Sequence, residues 1–180
     1  QFKYDEAIPL YEKLIAQGFD NFESNFIHGL CYEDQPDNEK ALKHYQKAVQ
    51  FKSDNATCLF HLALVEKSFC MDSLSMAHFN QSLEVSLPKD RALRTYKWLA
   101  DLHFQHSRYA DAARDFELCT LYDEEDNPLN YYNAAQMFIA SKNKLKAKLY
   151  LQMFLANANR LEDKKEAAQL ISKAKEQLKQ

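Results

Sequence analysis

The stretch that decides the fold runs from Phe22 to Asn55 and reads FESNFIHGLCYEDQPDNEKALKHYQKAVQFKSDN. Its first half carries Gly29 and Tyr32, and its second half carries Ala41 and Tyr45. Small residues on facing helices let two antiparallel backbones approach closely, and an aromatic residue fills the gap toward the neighbouring pair. The stretch therefore predicts two antiparallel helices joined by a short turn.

The same pattern recurs along the chain at a nearly constant spacing. Ala7, Ala41 and Ser75 lie 34 residues apart, and Ala112 follows Ser75 after 37. Four residues after each comes an aromatic residue: Tyr11, Tyr45, Phe79 and Phe116. A second set of small residues lies 12 positions before Ala41, Ser75, Ala112 and Ala147: Gly29, Ala63, Ala100 and Ala135. The chain is therefore interpreted as an array of helix pairs, with three extra residues inserted between Lys89 and Ala92.

Composition supports an all-helical protein. The 180 residues include 46% hydrophobic residues but only 2 glycines and 4 prolines. Folds rich in tight turns, and glycine-rich phosphate-binding loops, need more of both. No stretch approaches the ~18 consecutive apolar residues that a membrane-spanning helix requires.

The repeat pattern resembles the tetratricopeptide-repeat (TPR) family. The resemblance covers nearly all of the chain up to Leu161 and implies an all-α fold, a right-handed α-solenoid of tetratricopeptide-type antiparallel helix pairs with a C-terminal capping helix. Some positions depart from the family pattern. Asn25 stands where the family favours tryptophan, and Glu66 and His103 replace its first-helix tyrosine.

The pattern predicts a single repeat domain over residues 1–180. Residues 2–21 form the second half of a truncated repeat, full repeats follow at 22–55, 56–89, 93–126 and 128–161, and residues 162–180 form the capping helix. Ten helices are expected, at 3–16, 22–34, 38–52, 56–69, 73–86, 91–106, 109–122, 128–141, 144–157 and 162–178. Because the first helix lacks its partner, further repeats are expected upstream in the parent protein.

Catalytic motifs are absent from the sequence, so an enzyme is not expected and no cofactor is predicted. His28 and Cys31 are three residues apart on a helix, but a second ligand pair is missing, and ordinary packing is the preferred interpretation. Cys31, Cys58, Cys70 and Cys119 are interpreted as core or turn residues, with a disulfide between Cys31 and Cys58 as the alternative.

Charge argues against nucleic acid as a ligand, because the formal charge is −3 and the isoelectric point is about 6.1. The charge is unevenly distributed. Residues 142–180 hold 10 basic and 4 acidic residues, whereas residues 1–141 hold 13 basic and 22 acidic residues. A solvated lysine-rich cap is the preferred explanation, and an electrostatic docking site is the alternative.

In the TPR family, the first helix of each pair lines a concave groove that commonly binds a peptide or a helix. The resemblance implies a non-catalytic protein-interaction module with no small-molecule substrate, and the lack of a long apolar stretch implies no membrane insertion of this segment. The alternative is an architectural spacer in a larger multidomain or envelope-associated protein. Projecting the groove positions onto this chain predicts these partner-binding residues: Phe26, Leu30, Phe60, His61, Leu64, Arg94, Lys97, Trp98, Asp101, Phe104, Tyr132, Asn133 and Gln136.

Two further expectations concern this groove. The lysine and asparagine arrangement with which chaperone-binding family members clamp a terminal carboxylate is not reproduced, since Phe26 and Leu30 occupy two of its places. An extended or helical segment anchored by apolar side chains is the better-fitting ligand. The competing interpretation is that Phe26, Phe60 and Trp98 only brace neighbouring first helices.

The first prediction concerns metal content. Because no ligand set has workable spacing, elemental analysis of protein purified without a metal-affinity step should find no stoichiometric zinc or iron. One equivalent bound through His28 and Cys31 would contradict this interpretation of the two residues.

Overall fold

The computed structural model describes residues 4–179, with side chains described from residue 7. Over this range it contains ten α-helices and a single turn of 3₁₀ helix at Ala158–Arg160. The helices are α1 (Tyr4–Ala16), α2 (Phe22–Asp34), α3 (Asn38–Phe51), α4 (Ala56–Ser68), α5 (Asp72–Val85), α6 (Lys89–Gln105), α7 (Tyr109–Tyr122), α8 (Pro128–Ala140), α9 (Lys144–Asn157) and α10 (Lys164–Gln177). Positions 2 and 3, where the truncated repeat and the first helix were expected to begin, lie outside the described residues.

The predicted helices are confirmed, with end points that differ by at most two residues over the described part of the chain. The inserted residues lengthen one helix. Helix α6 has 17 residues, whereas α2, α4 and α8 each have 13. The insertion after Pro88 therefore adds about one turn to the start of α6, as 3.6 residues make one turn.

The chain divides into two compact units, Gln1–Leu87 and Pro88–Gln180. In the first unit α2 packs against α3, and α4 packs against α5. In the second unit α6 packs against α7, and α8 packs against both α7 and α9. The all-α architecture of packed helix pairs is therefore confirmed, while the assignment of the whole chain to a single repeat domain stays a prediction.

Small residues hold the paired helices together, as the sequence predicted. A Cβ atom placed on Gly29 of α2 would lie 2.5 Å from Cε1 of Tyr45 on α3, far inside van der Waals contact. At the equivalent contact between α4 and α5, the hydroxyl of Ser75 donates a hydrogen bond to the backbone carbonyl of Ala63 at 2.8 Å. Ser75 and Ala63 are both fully buried. The small residues thus allow the paired helices to approach closely.

A second pair of positions, also 12 residues apart, joins the two helices of each pair. These positions pair Tyr32 with His44, Glu66 with His78, His103 with Asp115, and Phe138 with Tyr150. The first and last pairs are aromatic contacts, with ring centroids 5.6 and 5.4 Å apart. The two central pairs are hydrogen bonds between an imidazole and a carboxylate, at 2.7 and 2.6 Å.

These contacts explain why Glu66 and His103 depart from the family pattern. Each is buried, and a buried ionisable group needs a hydrogen-bonding partner. The partner in both cases lies on the second helix, 12 residues later. The sequence contained this signal in its spacing, but it was not recognised there.

The third departure from the family pattern is Asn25 itself. Its side chain builds a polar network at a position where the family has tryptophan. Its side chain is fully buried and donates hydrogen bonds to the carboxylate of Asp20 at 2.6 Å and to the backbone carbonyl of Asn21 at 2.8 Å. Its carbonyl oxygen lies 3.1 Å from Nδ1 of His44. This network ties the start of α2 to the middle of α3.

Helix α10 covers the end of the second unit. Ala167 and Ala174 are buried, and three larger apolar side chains pack onto the core of this unit: Leu170, Ile171 and Leu178. Lysine and glutamate side chains of α10 remain exposed. The predicted capping helix is present. None of the helices in the described part of the chain combines the length and apolar character needed to cross a bilayer.

The second prediction tests the close packing of helix pairs. Ala112 and Ala110 lie on the same helix, but Ala112 is fully buried and Ala110 is exposed. Ala112→Leu should lower the free energy of unfolding by about 1–3 kcal/mol through overpacking, whereas the matched control Ala110→Leu should change it by less than about 0.5 kcal/mol. Urea denaturation of both variants measures the difference. Equal stability of the two variants would contradict the packing model.

Candidate functional site

The predicted partner-binding residues of the first unit lie on helices α2 and α4, and the structure joins the two helices at this surface. The carboxylate oxygen Oε2 of Glu33 accepts a hydrogen bond from the hydroxyl of Tyr45 at 2.5 Å and lies 2.9 Å from Nδ1 of His61. Because a carboxylate offers only acceptor oxygens, Nδ1 of His61 carries the proton in this contact. Glu33 thus links two consecutive repeats.

Aromatic contacts surround this link. Phe26 stacks on Phe22, with ring centroids 5.6 Å apart, and meets the edge of His61 at 6.3 Å. Phe26 and Leu30 are half-buried and pack against the core of the first unit. Leu64 and Lys67, from α4, are also half-buried. The surface formed by Phe26, Leu30, Glu33, His61 and Leu64 is called the α2/α4 surface below.

Phe60, which the sequence also predicted to bind a partner, is not part of the α2/α4 surface. Its side chain is 1% exposed, and its ring contacts Phe79 of α5 at a centroid distance of 6.0 Å. Phe60 therefore belongs to the interior of the first unit, where it braces α4 against α5. A partner could reach it only if the helices moved apart.

In the second unit, the predicted residues of α6 form a mixed charged and aromatic surface. Phe104 is 49% exposed, and Trp98 is half-buried. Arg94, Lys97 and Asp101 are all exposed. Since these residues recur at intervals of three or four along one helix, they lie on one face of α6. This set is called the α6 face below.

The residues of α8 are less accessible. Tyr132 is 7% exposed and packs against Phe154 with ring centroids 5.0 Å apart, which makes it a core residue. Asn133 and Gln136 are half-buried. The amides of Gln136 and Gln177 exchange two hydrogen bonds of 3.0 Å and so fasten α10 to α8. Sequence reasoning placed Gln136 correctly on the first helix but did not foresee that the capping helix covers it.

The possible metal pair of His28 and Cys31 is part of the core. His28 is 1% exposed, stacks on Tyr32 at a ring-centroid distance of 4.9 Å and contacts the tilted ring of His44 at 4.1 Å. Burial lowers the pKa of His28 and raises the pKa of the Cys31 thiol, so both are neutral near pH 7. Within residues 4–179, no three His, Cys, Asp or Glu side chains are grouped so that they could hold a metal ion.

The cysteines occupy the positions that the sequence suggested. Cys31, Cys58 and Cys119 are free and buried, while Cys70 is free and exposed in the turn before α5. The alternative of a disulfide between Cys31 and Cys58 is not realised in the structure. Burial raises the pKa of Cys58 and of Cys119 to about 12, so these two thiols stay protonated.

Comparisons with known proteins agree with this architecture. Residues 1–70 match the family model described as "Anaphase-promoting complex, cyclosome, subunit 3". Among solved structures, MamA has 15% sequence identity and a TM-score of 0.71, with 87% of this chain and 90% of that chain covered. No curated protein matches.

Two other solved structures resemble this chain. YrrB, described as a TPR protein with an unusual peptide-binding site, has 13% identity and a TM-score of 0.66, with 93% and 91% of the two chains covered. The APC/C hetero-tetramer Cut9-Hcn1 has 15% identity and a TM-score of 0.63, and the match covers 96% of this chain but only 33% of that one. The resemblance seen in the sequence is confirmed at the level of the fold, because this chain folds like the tetratricopeptide-repeat protein YrrB.

The third prediction concerns the buried imidazoles of the first unit. Burial, reinforced by the neighbouring His28, lowers the pKa of His44 from 6.5 to about 4. The unfolded chain therefore binds a proton at His44 between pH 6.5 and about 4, where the folded chain does not, so acidification destabilises the fold. His44→Gln should flatten the dependence of unfolding free energy on pH in this window, by at most about 1.4 kcal/mol per pH unit.

Urea denaturation between pH 7.5 and 4.5 measures this effect. The exposed, non-ionisable Gln46 on the same helix supplies a control, since Gln46→Ala should leave the pH dependence close to that of the wild type. Parallel curves for wild type and His44→Gln would mean that His44 titrates normally in the folded protein.

Proposed function

We propose that this chain is a non-catalytic protein-interaction module that binds a peptide or a helix of a partner protein through its first helices. The observation that carries the proposal is the α6 face, where the accessible aromatic residues Trp98 and Phe104 alternate with Arg94, Lys97 and Asp101. Aromatic residues and arginine dominate binding energies at protein interfaces, and surrounding charged residues set orientation.

The α2/α4 surface supports the same function by a different route. Leu30, Leu64 and the accessible part of Phe26 offer apolar contact area. Beside them, Glu33 is held in place by Tyr45 and His61, so its orientation is already set before a ligand binds. Preorganised polar groups lower the entropy cost of binding. This surface suits a segment that presents an apolar side chain next to a hydrogen-bond donor.

The comparisons support this proposal only through the properties of other proteins. YrrB has a peptide-binding site according to its description, and Cut9 is part of a hetero-tetramer with Hcn1. Both share the fold of this chain at low sequence identity. Their ligands are therefore evidence for the class of function and not for a particular partner.

An architectural spacer in a larger multidomain or envelope-associated protein is the second candidate. The burial of Phe60 and Tyr132 favours it, because two of the predicted anchors brace the helix array instead of facing outward. The two candidates differ in one property. A spacer has no need of a specific ligand for the α6 face, whereas an interaction module requires one.

The fourth prediction separates these candidates. A displayed library of random 16-residue peptides, selected against the wild-type chain, should yield ligands whose affinity falls about 5- to 150-fold on Trp98→Ala or Phe104→Ala, the range expected for aromatic anchors. Phe51→Ala is the matched control. Phe51 is 52% exposed, as Phe104 nearly is, but it lies at the end of α3, which is the second helix of its pair and not a first helix. Its substitution should leave the affinity unchanged.

Stability measurements complete the test. Phe104→Ala should cost little stability because the side chain is half exposed, whereas Phe60→Ala should cost about 3–5 kcal/mol, as for a buried phenylalanine. Failure to enrich any peptide, or equal losses of affinity on Phe104→Ala and Phe51→Ala, would favour the spacer.

A further inference from the structure

A groove opens at the C-terminal end of the second unit, and none of its lining residues belongs to the α6 face. It lies between the end of α8, the start of α9 and the end of α10, and its volume is about 450 Å³. Its apolar wall consists of Ile139 and Leu178, and its floor of the nearly buried Ala147 and Leu151. Ile139 is 40% exposed, so part of this wall is open to solvent. The volume is typical of a pocket that receives side chains of a ligand.

Three lysines form the rim of this groove: Lys142, Lys144 and Lys148. All three are exposed, and within the described part of the chain none of them has a carboxylate partner. Lys146, on the same stretch, differs. Its ammonium group lies 2.7 Å from Oε2 of Glu117 and is thus already neutralised. The rim therefore carries positive charge that the fold itself does not use.

The groove is built from fixed parts. The paired amides of Gln136 and Gln177 hold the end of α10 against α8, and Ala174 is fully buried one turn earlier. Leu151 and Ala147 are buried in the floor. A ligand would therefore meet a preformed surface, which reduces the ordering cost of binding.

We propose that this groove is a docking site for an acidic amphipathic segment of a partner protein. Its apolar side chains would enter the groove, and its carboxylates would pair with Lys142, Lys144 and Lys148. Charge complementarity selects this ligand, since residues 142–180 carry 10 basic against 4 acidic residues, and the three rim lysines lack partners of their own.

Other polyanions fit the groove less well. A nucleic acid would pair with the lysines but would gain nothing from the apolar wall. An anionic membrane surface would meet the lysines, but a flat bilayer does not enter a groove lined by three helices. A peptide side chain satisfies both the recessed apolar wall and the charged rim.

This inference does not rest on the proposed function of the first helices. The groove uses Lys142, Lys144, Lys148 and the end of α10, and none of these residues belongs to the α6 face or the α2/α4 surface. A chain that failed to bind through Trp98 and Phe104 could still bind here. The two proposals therefore succeed or fail separately.

The experiment uses a fluorescein-labelled helical probe peptide with leucine at i, i+3, i+4 and i+7 and glutamate at most other positions. Two comparison peptides replace either every glutamate by glutamine or every leucine by serine. Fluorescence anisotropy should show that the wild-type chain binds the probe, and that Lys144→Glu combined with Lys148→Glu weakens binding about tenfold or more. Both comparison peptides should bind more weakly than the probe, and added salt should weaken probe binding.

Lys165→Glu combined with Lys173→Glu is the matched control, because both lysines are exposed on α10 and the change in net charge is the same. This control should alter the affinity less than about twofold. Phe104→Ala should have no effect. Circular dichroism of each variant verifies that the helices are intact.

Several results would overturn the proposal. One is the absence of probe binding at millimolar concentration, and another is that the glutamine peptide binds as tightly as the probe. A third is that the Lys165→Glu, Lys173→Glu control weakens binding as much as the Lys144→Glu, Lys148→Glu variant, which would indicate unspecific charge attraction. Binding to phosphatidylserine vesicles in place of the probe, with the same loss on Lys144→Glu and Lys148→Glu, would assign the lysines to a membrane surface instead.

Discussion

The close approach of paired helices is the constraint on which the rest of the structure depends. At Gly29 there is no room for even one methyl group, because Tyr45 occupies the space where a Cβ atom would lie. At Ser75 the approach is close enough for the hydroxyl to bond directly to the backbone of Ala63. Since close packing tolerates little change in volume, the small residues at these positions set the distance between helices, and the larger side chains fill the remaining gaps.

A second contact between the same helices is chemically variable. It is aromatic between Tyr32 and His44, and it is an imidazole–carboxylate hydrogen bond between His103 and Asp115. Burial raises the pKa of Asp115 to about 6, and the hydrogen bond from His103 opposes that rise. These two positions thus require side chains that can contact or hydrogen-bond each other, and they do not require one particular residue type. A change at either position alone would leave a buried group without its partner.

The surfaces follow from how fully each repeat buries its first helix. Helix α4 buries Phe60 and α8 buries Tyr132, whereas α6 leaves Phe104 half exposed. At the C-terminal end, α10 covers Gln136 but leaves a groove beside Lys144 and Lys148. Repeats that share one backbone pattern therefore present different surfaces, because the pattern constrains only the residues within each pair.

The sequence by itself determined the helices and their pairing. The spacing of Gly29, Ala41 and Tyr45, repeated along the chain, is a local signal, since helix geometry converts spacing directly into a shared face. Only the tertiary structure decided which projected residues are accessible and which polar residues pair across repeats, as Glu33 does with His61. Whether Phe60 is a brace or a contact depends on the volumes of side chains on neighbouring helices, and no spacing within a single repeat encodes those volumes.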